Sequence, residues 1–304
     1  MQILGISLRA RVLKNSLAYY LFYIIGILGA SLVLAIGIGL YIKSYPIIKS
    51  YGFWNPLSSV DWFPLKGKFG ILPFIISSYY VSIFALVITV PICLLTAIYL
   101  IEYANKKILK FFYPIIDILS GLPSVIIGVW GILIVVPLIR DYLAPMFGIH
   151  STGYSVLAGA IVLSVMLVPN VILVFIEILR TIPNELREAS LSLGATKWET
   201  IKYVVLRKSL PGIIAGLVLG MSRAFGETLA VLMVVGNVVK IPNSPFDPGY
   251  PLPALIANNY GEMLSIPLYD SALMYSAFVL FVIVLFFNVL SKLFLNRLIK
   301  YMRY

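Results

Sequence analysis

Two residues of opposite charge, Arg223 and Glu227, stand inside an otherwise apolar segment that runs from about Gly212 to Val238. A charge in the middle of a membrane costs about 2.5 kcal/mol or more, so such residues face the protein interior and pair or line a pathway. Because they are four residues apart, we expect them to share one face of a helix, with Thr228 beside them. The planar guanidinium group of arginine suits the oxygens of phosphate.

This pair of charges has two interpretations. In the first, it is a buried structural ion pair that only fixes helix packing. In the second, it is an anion site in which Glu227 holds and partly neutralises Arg223 until a substrate arrives. Ionisable residues inside a membrane are functional by default, so the residues alone favour a pathway role.

The elements that position these residues are predicted from composition. Of the 304 residues, 61% are hydrophobic and 12% are charged, whereas soluble domains carry about 25% charged residues. Five runs of more than 20 residues lack Asp, Glu, Lys and Arg, and about 20 apolar residues span a bilayer as a helix. We therefore predict an all-α polytopic membrane protein with about six transmembrane helices. The predicted spans are about 17–42, 71–99, 118–138, 154–176, 212–238 and 271–293.

The basic residues predict the orientation of these spans. If both termini are cytoplasmic, the inside segments hold 16 Lys and Arg residues and the outside loops hold six, with Arg223 left in a span. Basic loops stay in the cytoplasm, so residues 1–16 are expected to be a cytoplasmic tail in a multi-pass protein of the cell membrane. The positive charge follows topology and membrane lipid, and no soluble basic module indicates nucleic acid.

Chemistry of other kinds has little support in the sequence. One histidine, His150, and one cysteine, Cys93, provide neither a metal site nor a nucleophile–base set. A Gly-rich Walker loop is absent, so any ATP must be hydrolysed on another subunit. From these residues we expect no catalytic residues and no cofactor of the chain's own.

The inside connection, about residues 179–211, is longer than a turn requires and has a helical pattern. Pro183 is placed to start a helix, and Gly194 can end it through a left-handed turn. Thr196 and Glu199 form a capping-box pattern for a second helix. The result is a helix–turn–helix that either anchors the spans or docks a cytoplasmic partner.

A resemblance favours docking. Glu188, Ala189 and Ser190, followed after three residues by Gly194, resemble the Glu-Ala-Ala loop of ABC importer permeases, a MetI-like fold with a cytoplasmic coupling-helix loop. Ser190 takes the place of an alanine in that pattern, and Arg207 that of a proline. The likeness implies that an ATPase subunit docks on this loop.

Further motifs resemble the phosphate-specific members of that family, closest to their C-type subunit. They are Leu193–Ile201, Pro211–Ile213, Arg223–Val231, Val234–Asn237, Phe69–Pro73, Ala97–Glu102 and Gly121–Val125. The likeness implies import of inorganic phosphate through Arg223, Glu227 and Thr228. It also implies a second, A-type permease, two ATPase subunits that bind ATP and magnesium, and an extracellular phosphate-binding protein.

Alternatives remain open at this point. The chain could carry a related oxyanion, or be the A-type subunit. A secondary transporter would need acidic residues in several spans, and only one span has a clear acid in its interior. A membrane enzyme would need a catalytic set at depth.

Overall fold

A computed structural model describes residues 8–262 and 266–302, and side chains within 14–262 and 266–297. Residues 1–7 of the predicted tail lie outside this description, as do the side chains of Arg9, Arg11, Lys300 and Arg303. The described chain is almost entirely helical. In chain order the helices are α1 (Leu8–Tyr51), α2 (Trp54–Ser58), α3 (Leu72–Tyr103), α4 (Lys106–Ser120), α5 (Ser124–Met146), α6 (Val156–Arg180), α7 (Asn184–Ser192), α8 (Lys197–Gly226), α9 (Leu229–Leu232), α10 (Leu252–Asn259) and α11 (Tyr269–Met302).

Six of these helices are long and apolar enough to cross a membrane within the described residues, namely α1, α3, α5, α6, α8 and α11. This confirms the predicted all-α polytopic class. Three of them contain π-helical turns, at Tyr99–Tyr103, at Gly131–Val135 and Ile139–Leu143, and at Thr200–Val205. Such turns insert an extra residue and often mark functional positions in long helices.

The first helix is longer than its apolar run. It reaches Tyr51, although the expected span stops at residue 42, and it includes Pro46. It packs mainly on α11, and the side chains of its most apolar stretch are all exposed. This surface therefore faces lipid or another membrane protein.

Helices α3, α6 and α8 form the centre of the bundle. Small residues let α3 and α6 pack closely, with Ala85 and Cys93 of α3 and Ala160 of α6 fully buried. The hydroxyl of Thr89 donates to the carbonyl of Ser164 on α6, so polar side chains at this contact are paired inside the bundle.

The segment before α3 is folded onto the bundle. Strands β1 (Trp62–Phe63) and β2 (Lys68–Phe69) pair antiparallel around a short 3-10 turn, Pro64–Lys66. The ring of Trp62 packs against Phe74 and Tyr269. The buried Trp62 makes this stretch an aromatic cap on one end of the bundle.

The third span is divided differently from the prediction. Helix α4 ends at Ser120, residues 121–123 form a turn, and α5 continues to Met146. A Cβ built on Gly121 would make only ordinary contacts, 3.6 Å from backbone oxygens. Gly121 is therefore not needed for close helix packing, and the segment is an unwound turn.

Candidate anion cavity and coupling surface

Arg223 lies near the end of α8, where this helix approaches its neighbours closely. A Cβ built on Gly216 would lie 3.0 Å from the ring of Phe175 on α6, and one on Gly220 would lie 3.2 Å from Leu86 on α3. Such contacts are tighter than ordinary packing, so these glycines set the helix separation. Arg223 itself is exposed, between the buried residues Ser222 and Ala224.

The helix that carries Arg223 stops before Glu227. Helix α8 ends at Gly226, and Glu227 has extended backbone angles, φ −77° and ψ 130°. The predicted shared helix face of Arg223 and Glu227 is therefore wrong, because the four-residue spacing applies only within a continuous helix. Broken backbone at membrane depth is tolerated where it is buried in protein or lines a cavity.

Glu227 is engaged by the backbone that follows it. Its carboxylate interacts with the N–H groups of Thr228 and Ala230, which begin α9, and with the charge of Arg223. Among the described side chains, no carboxylate oxygen forms an ion pair with Arg223 within 4.0 Å. Arg223 therefore forms no direct salt bridge with Glu227 or with another described carboxylate.

A small cavity brings the two charges together with groups from three other elements. Its volume is about 70 Å³, several times the space that one water needs. Its lining includes Arg223 and Glu227, Asn170 of α6, Ser120 at the end of α4 and Leu122 of the turn that follows. The cavity thus combines one cation, one carboxylate and neutral polar groups.

A second, larger cavity also includes Arg223 in its lining. Its volume is about 500 Å³, and Asn170, Ser222 and Asn288 line it together with Arg223. Among the cavities described, Arg223 and Asn170 are shared by these two. A guanidinium between two cavities can contact an anion from either side.

Thr228 is placed differently from its neighbours in sequence. Its hydroxyl donates to the carbonyl of Gly226 at 3.4 Å, and it lines neither of the two cavities. The structure therefore brings Arg223 and Glu227 together but keeps Thr228 in the backbone turn between α8 and α9.

Sequence reasoning did not select Asn170, Ser120 or Asn288. Asn170 had a usable signal, because Pro169-Asn170 interrupts a charge-free run with a polar amide. The amide of Asn170 donates to the carbonyl of Met166 at 3.4 Å, which is a long hydrogen bond. It is therefore free to turn toward a ligand at little cost.

The loop between α6 and α8 has the predicted turn chemistry. Gly194 has φ +86° and ends α7, and the N–H of Ala195 reaches the carbonyl of Ser190, as in a Schellman motif. Thr196 and Glu199 make the reciprocal capping box at the start of α8. The helix–turn–helix is confirmed. However, its second helix passes through Pro211 and continues as the fifth span.

The tip of this loop exposes apolar side chains. Leu193 is 90% exposed and Trp198 is 53% exposed, and Glu188, Ala189 and Gly194 are exposed around them. The sequence analysis includes both residues in the motif Leu193–Ile201 but assigns neither of them to docking. A rimmed apolar patch of this kind marks an interaction surface.

Ser190 points the other way. It is half-buried, and its hydroxyl is 2.9 Å from the hydroxyl of Thr200 on α8. The residue that departs from the alanine of the resembled motif therefore joins the two helices of the loop. Of the four predicted docking residues, Glu188, Ala189 and Gly194 are accessible and Ser190 supports them.

A helical membrane bundle with a cavity lined by Arg223 and Glu227 and an exposed helical loop is typical of a polytopic transport permease. Residues 90–304 match the family described as the inner membrane component of binding-protein-dependent transport systems. Since the match spans more than half of the chain, the protein belongs to this family.

Relatives and solved structures agree with this assignment. The chain is 40% identical, over 68% of its length and 66% of the relative, to the probable ABC transporter permease protein YqgH of Bacillus subtilis (strain 168). It is 34% identical, over 79% of its length and 78% of the relative, to the phosphate transport system permease protein PstC of Xylella fastidiosa (strain 9a5c). A chain of the MetNI methionine ABC transporter, in inward facing conformations, has the same fold, with a TM-score of 0.51, 20% identity, and coverage of 73% of this chain and 91% of that one.

Proposed function

We propose that this chain is the C-type permease subunit of an ATP-driven ABC importer for inorganic phosphate. The observation that carries the proposal is Arg223, a cation without a direct ion pair among the described residues, placed between two cavities in the bundle. An unpaired guanidinium at membrane depth is costly unless an anion visits it. The relative named PstC supports phosphate as that anion.

The polar groups of the cavity supply the chemistry of transient binding. The guanidinium of Arg223 donates to two phosphate oxygens at once, and the amide of Asn170 adds a neutral donor. Glu227 lies close enough to lower the net positive potential, so the anion is held loosely enough to leave.

The proposed assembly has this chain paired with an A-type permease. One ATPase subunit docks on the exposed loop Glu188–Gly194 and a second docks on the A-type permease, both on the cytoplasmic side, and an extracellular phosphate-binding protein delivers substrate. ATP and magnesium bind to the ATPase subunits. Both termini are cytoplasmic, in line with the 16 basic residues inside and six outside.

The test is uptake of radiolabelled phosphate into proteoliposomes that contain the complete complex, with ATP inside and the binding protein outside. In Arg223→Gln we expect uptake to be lost while the complex assembles normally, because glutamine keeps a polar side chain but has no charge or fork. Arg140→Gln is the matched control, since Arg140 is an exposed arginine already paired with Asp141 at 2.7 Å.

Each outcome has a distinct meaning. Normal phosphate uptake in Arg223→Gln removes Arg223 from the pathway. Uptake of sulfate or arsenate by the unaltered complex, without uptake of phosphate, assigns the permease to a related oxyanion. Uptake driven by a proton or sodium gradient without the ATPase subunits contradicts the ABC mechanism.

A further inference from the structure

A largely buried ion pair fastens the coupling loop to the end of α3. The guanidinium of Arg187 on α7 donates from Nε and Nη2 to Oε1 of Glu102, at 3.1 and 2.9 Å. The two side chains are only 15% and 9% exposed. The residues are 85 positions apart in sequence, so the contact joins two separate elements.

The same guanidinium also holds the end of α6. Its Nη2 donates to the carbonyl of Leu179 at 3.1 Å, and its Nη1 donates to the carbonyl of Ile182. These carbonyls belong to the last turn of α6 and the connection after it, where a helix leaves acceptors without partners. One arginine therefore joins α3, α6 and α7.

A second contact ties the loop to the neighbouring residue of α3. The ammonium of Lys197, at the start of α8, lies 4.6 Å from the centre of the Tyr103 ring, within the range of a cation–π interaction. Glu102 and Tyr103 are the last residues of the π-helical turn of α3. Both ends of the loop are thus attached to one short segment.

Helix α3 connects this segment to the anion cavity. Ser78, Val81 and Ser82 of α3 share a small cleft with Glu227, and Tyr79 packs edge-to-face on Phe225 at 4.9 Å. From Ser82 to Glu102 the helix covers about 30 Å. The helix is continuous over this distance, with Pro91 inside it, so it links the loop segment to the residues beside Glu227.

We propose that the Glu102–Arg187 pair is the attachment through which movement of the coupling loop is transmitted to α3, and from α3 to the anion cavity. The inference rests on the proposed function. In it, Glu102 and Arg187 are positioning residues that contact neither substrate nor nucleotide. The ATPase subunits would push on the exposed tip of the loop, and the pair would make α3 move with it.

The first measurement is the amount of phosphate transported per ATP hydrolysed in proteoliposomes. In Glu102→Gln we expect this ratio to fall by about tenfold, while ATP hydrolysis by the assembled complex continues. The matched control is Glu177→Gln, which removes an exposed pair with Arg180 at the end of α6 (3.4 Å) and should leave the ratio unchanged.

The second measurement does not depend on the substrate. Spin labels on cysteines introduced at Glu185 of α7 and Lys106 of α4, both exposed, report the distance between the loop and the region after α3. The native Cys93 is fully buried and does not label. With the pair intact, ATP should leave this distance unchanged because both parts move together; in Glu102→Gln it should change.

The double variant Glu102→Leu with Arg187→Met covers the case in which Glu102→Gln does not assemble, because removing both charges avoids an unpaired buried ion. An assembled variant that transports as much phosphate per ATP as the unaltered complex would overturn the inference. So would a label distance that responds to ATP in the same way with and without the pair. Failure of both variants to assemble would also overturn it and assign the pair to folding. If the unaltered complex takes up no phosphate, the proposed function fails, while the label distances still test the attachment.

Discussion

Two arginines of this chain, Arg187 and Arg223, occupy opposite kinds of environment. Arg187 is largely buried and donates to Glu102 and to backbone carbonyls of α6. Arg223 is exposed to two cavities and has no direct ion pair among the described residues. The guanidinium of Arg187 donates its hydrogen bonds to the protein, whereas the guanidinium of Arg223 has N–H groups available to bind a ligand.

The difference between Arg187 and Arg223 shows that the loop attachment is rigid, whereas the cavity is open to a ligand. The loop attachment must keep its geometry when a partner pushes on it, so its charges are fully engaged. The cavity must accept and release an anion, so its charge is only partly balanced, by Glu227 at longer range. Both residues are arginines, so charge does not distinguish the structural role of Arg187 from the binding role of Arg223. What distinguishes them is whether their hydrogen-bond donors are already bonded to the protein.

The largest expected effect is on stability, and it separates the two arginines. In Arg187→Met we expect the free energy of unfolding to fall by about 3–5 kcal/mol, because the carboxylate of Glu102 is left buried without its partner. In Arg223→Met we expect no loss, since no direct ion pair is broken. Unfolding of both variants in detergent, followed by circular dichroism, measures the difference. An equal loss of unfolding free energy in the two variants would contradict the proposed difference between Arg187 and Arg223.

Glycines at two turns, Gly194 in the loop and Gly148 outside it, separate the effect of backbone strain from the effect on coupling. Gly194 and Gly148 both have positive φ, 86° and 67°, with open space around a built Cβ. Valine at either position should cost about 1–2 kcal/mol through backbone strain. Only Gly194→Val should also reduce the phosphate transported per ATP, because Gly194 shapes the proposed docking surface. Tight coupling retained in Gly194→Val would argue against that role.

Local rules were enough to predict the loop from the sequence. The positive φ of Gly194 and the capping box of Thr196 and Glu199 depend on residues within one or two turns of each other. The six apolar helices follow equally directly from long runs without charge. These features need no knowledge of how the helices pack.

The parts that sequence reasoning missed depend on packing between distant elements. The pairing of Glu102 with Arg187 joins residues 85 positions apart, and nothing in either local sequence selects the other. The end of α8 at Gly226 is similar, because the apolar run continues to Val238 and gives no stop signal beyond one glycine.

The smallest expected effect concerns which cavity holds the ion. Asn170 lines both cavities, whereas Asn288 lines only the larger one. Each amide donates to a carbonyl of its own helix, at 3.4 and 3.0 Å, so the two residues are a matched pair. Leucine keeps the size of either side chain and removes its polar groups.

If the anion binds in the small cavity between Arg223, Glu227 and Asn170, then Asn170→Leu should raise the KM for phosphate uptake by roughly threefold to tenfold, through loss of about 1 kcal/mol of hydrogen bonding. Asn288→Leu should leave KM unchanged. Uptake kinetics in proteoliposomes distinguish the two variants. An equal rise in both would place the ion in the larger cavity, and Arg223 would then act on the side facing α11, away from Glu227. A rise in neither would mean that Arg223 binds the anion without help from an amide.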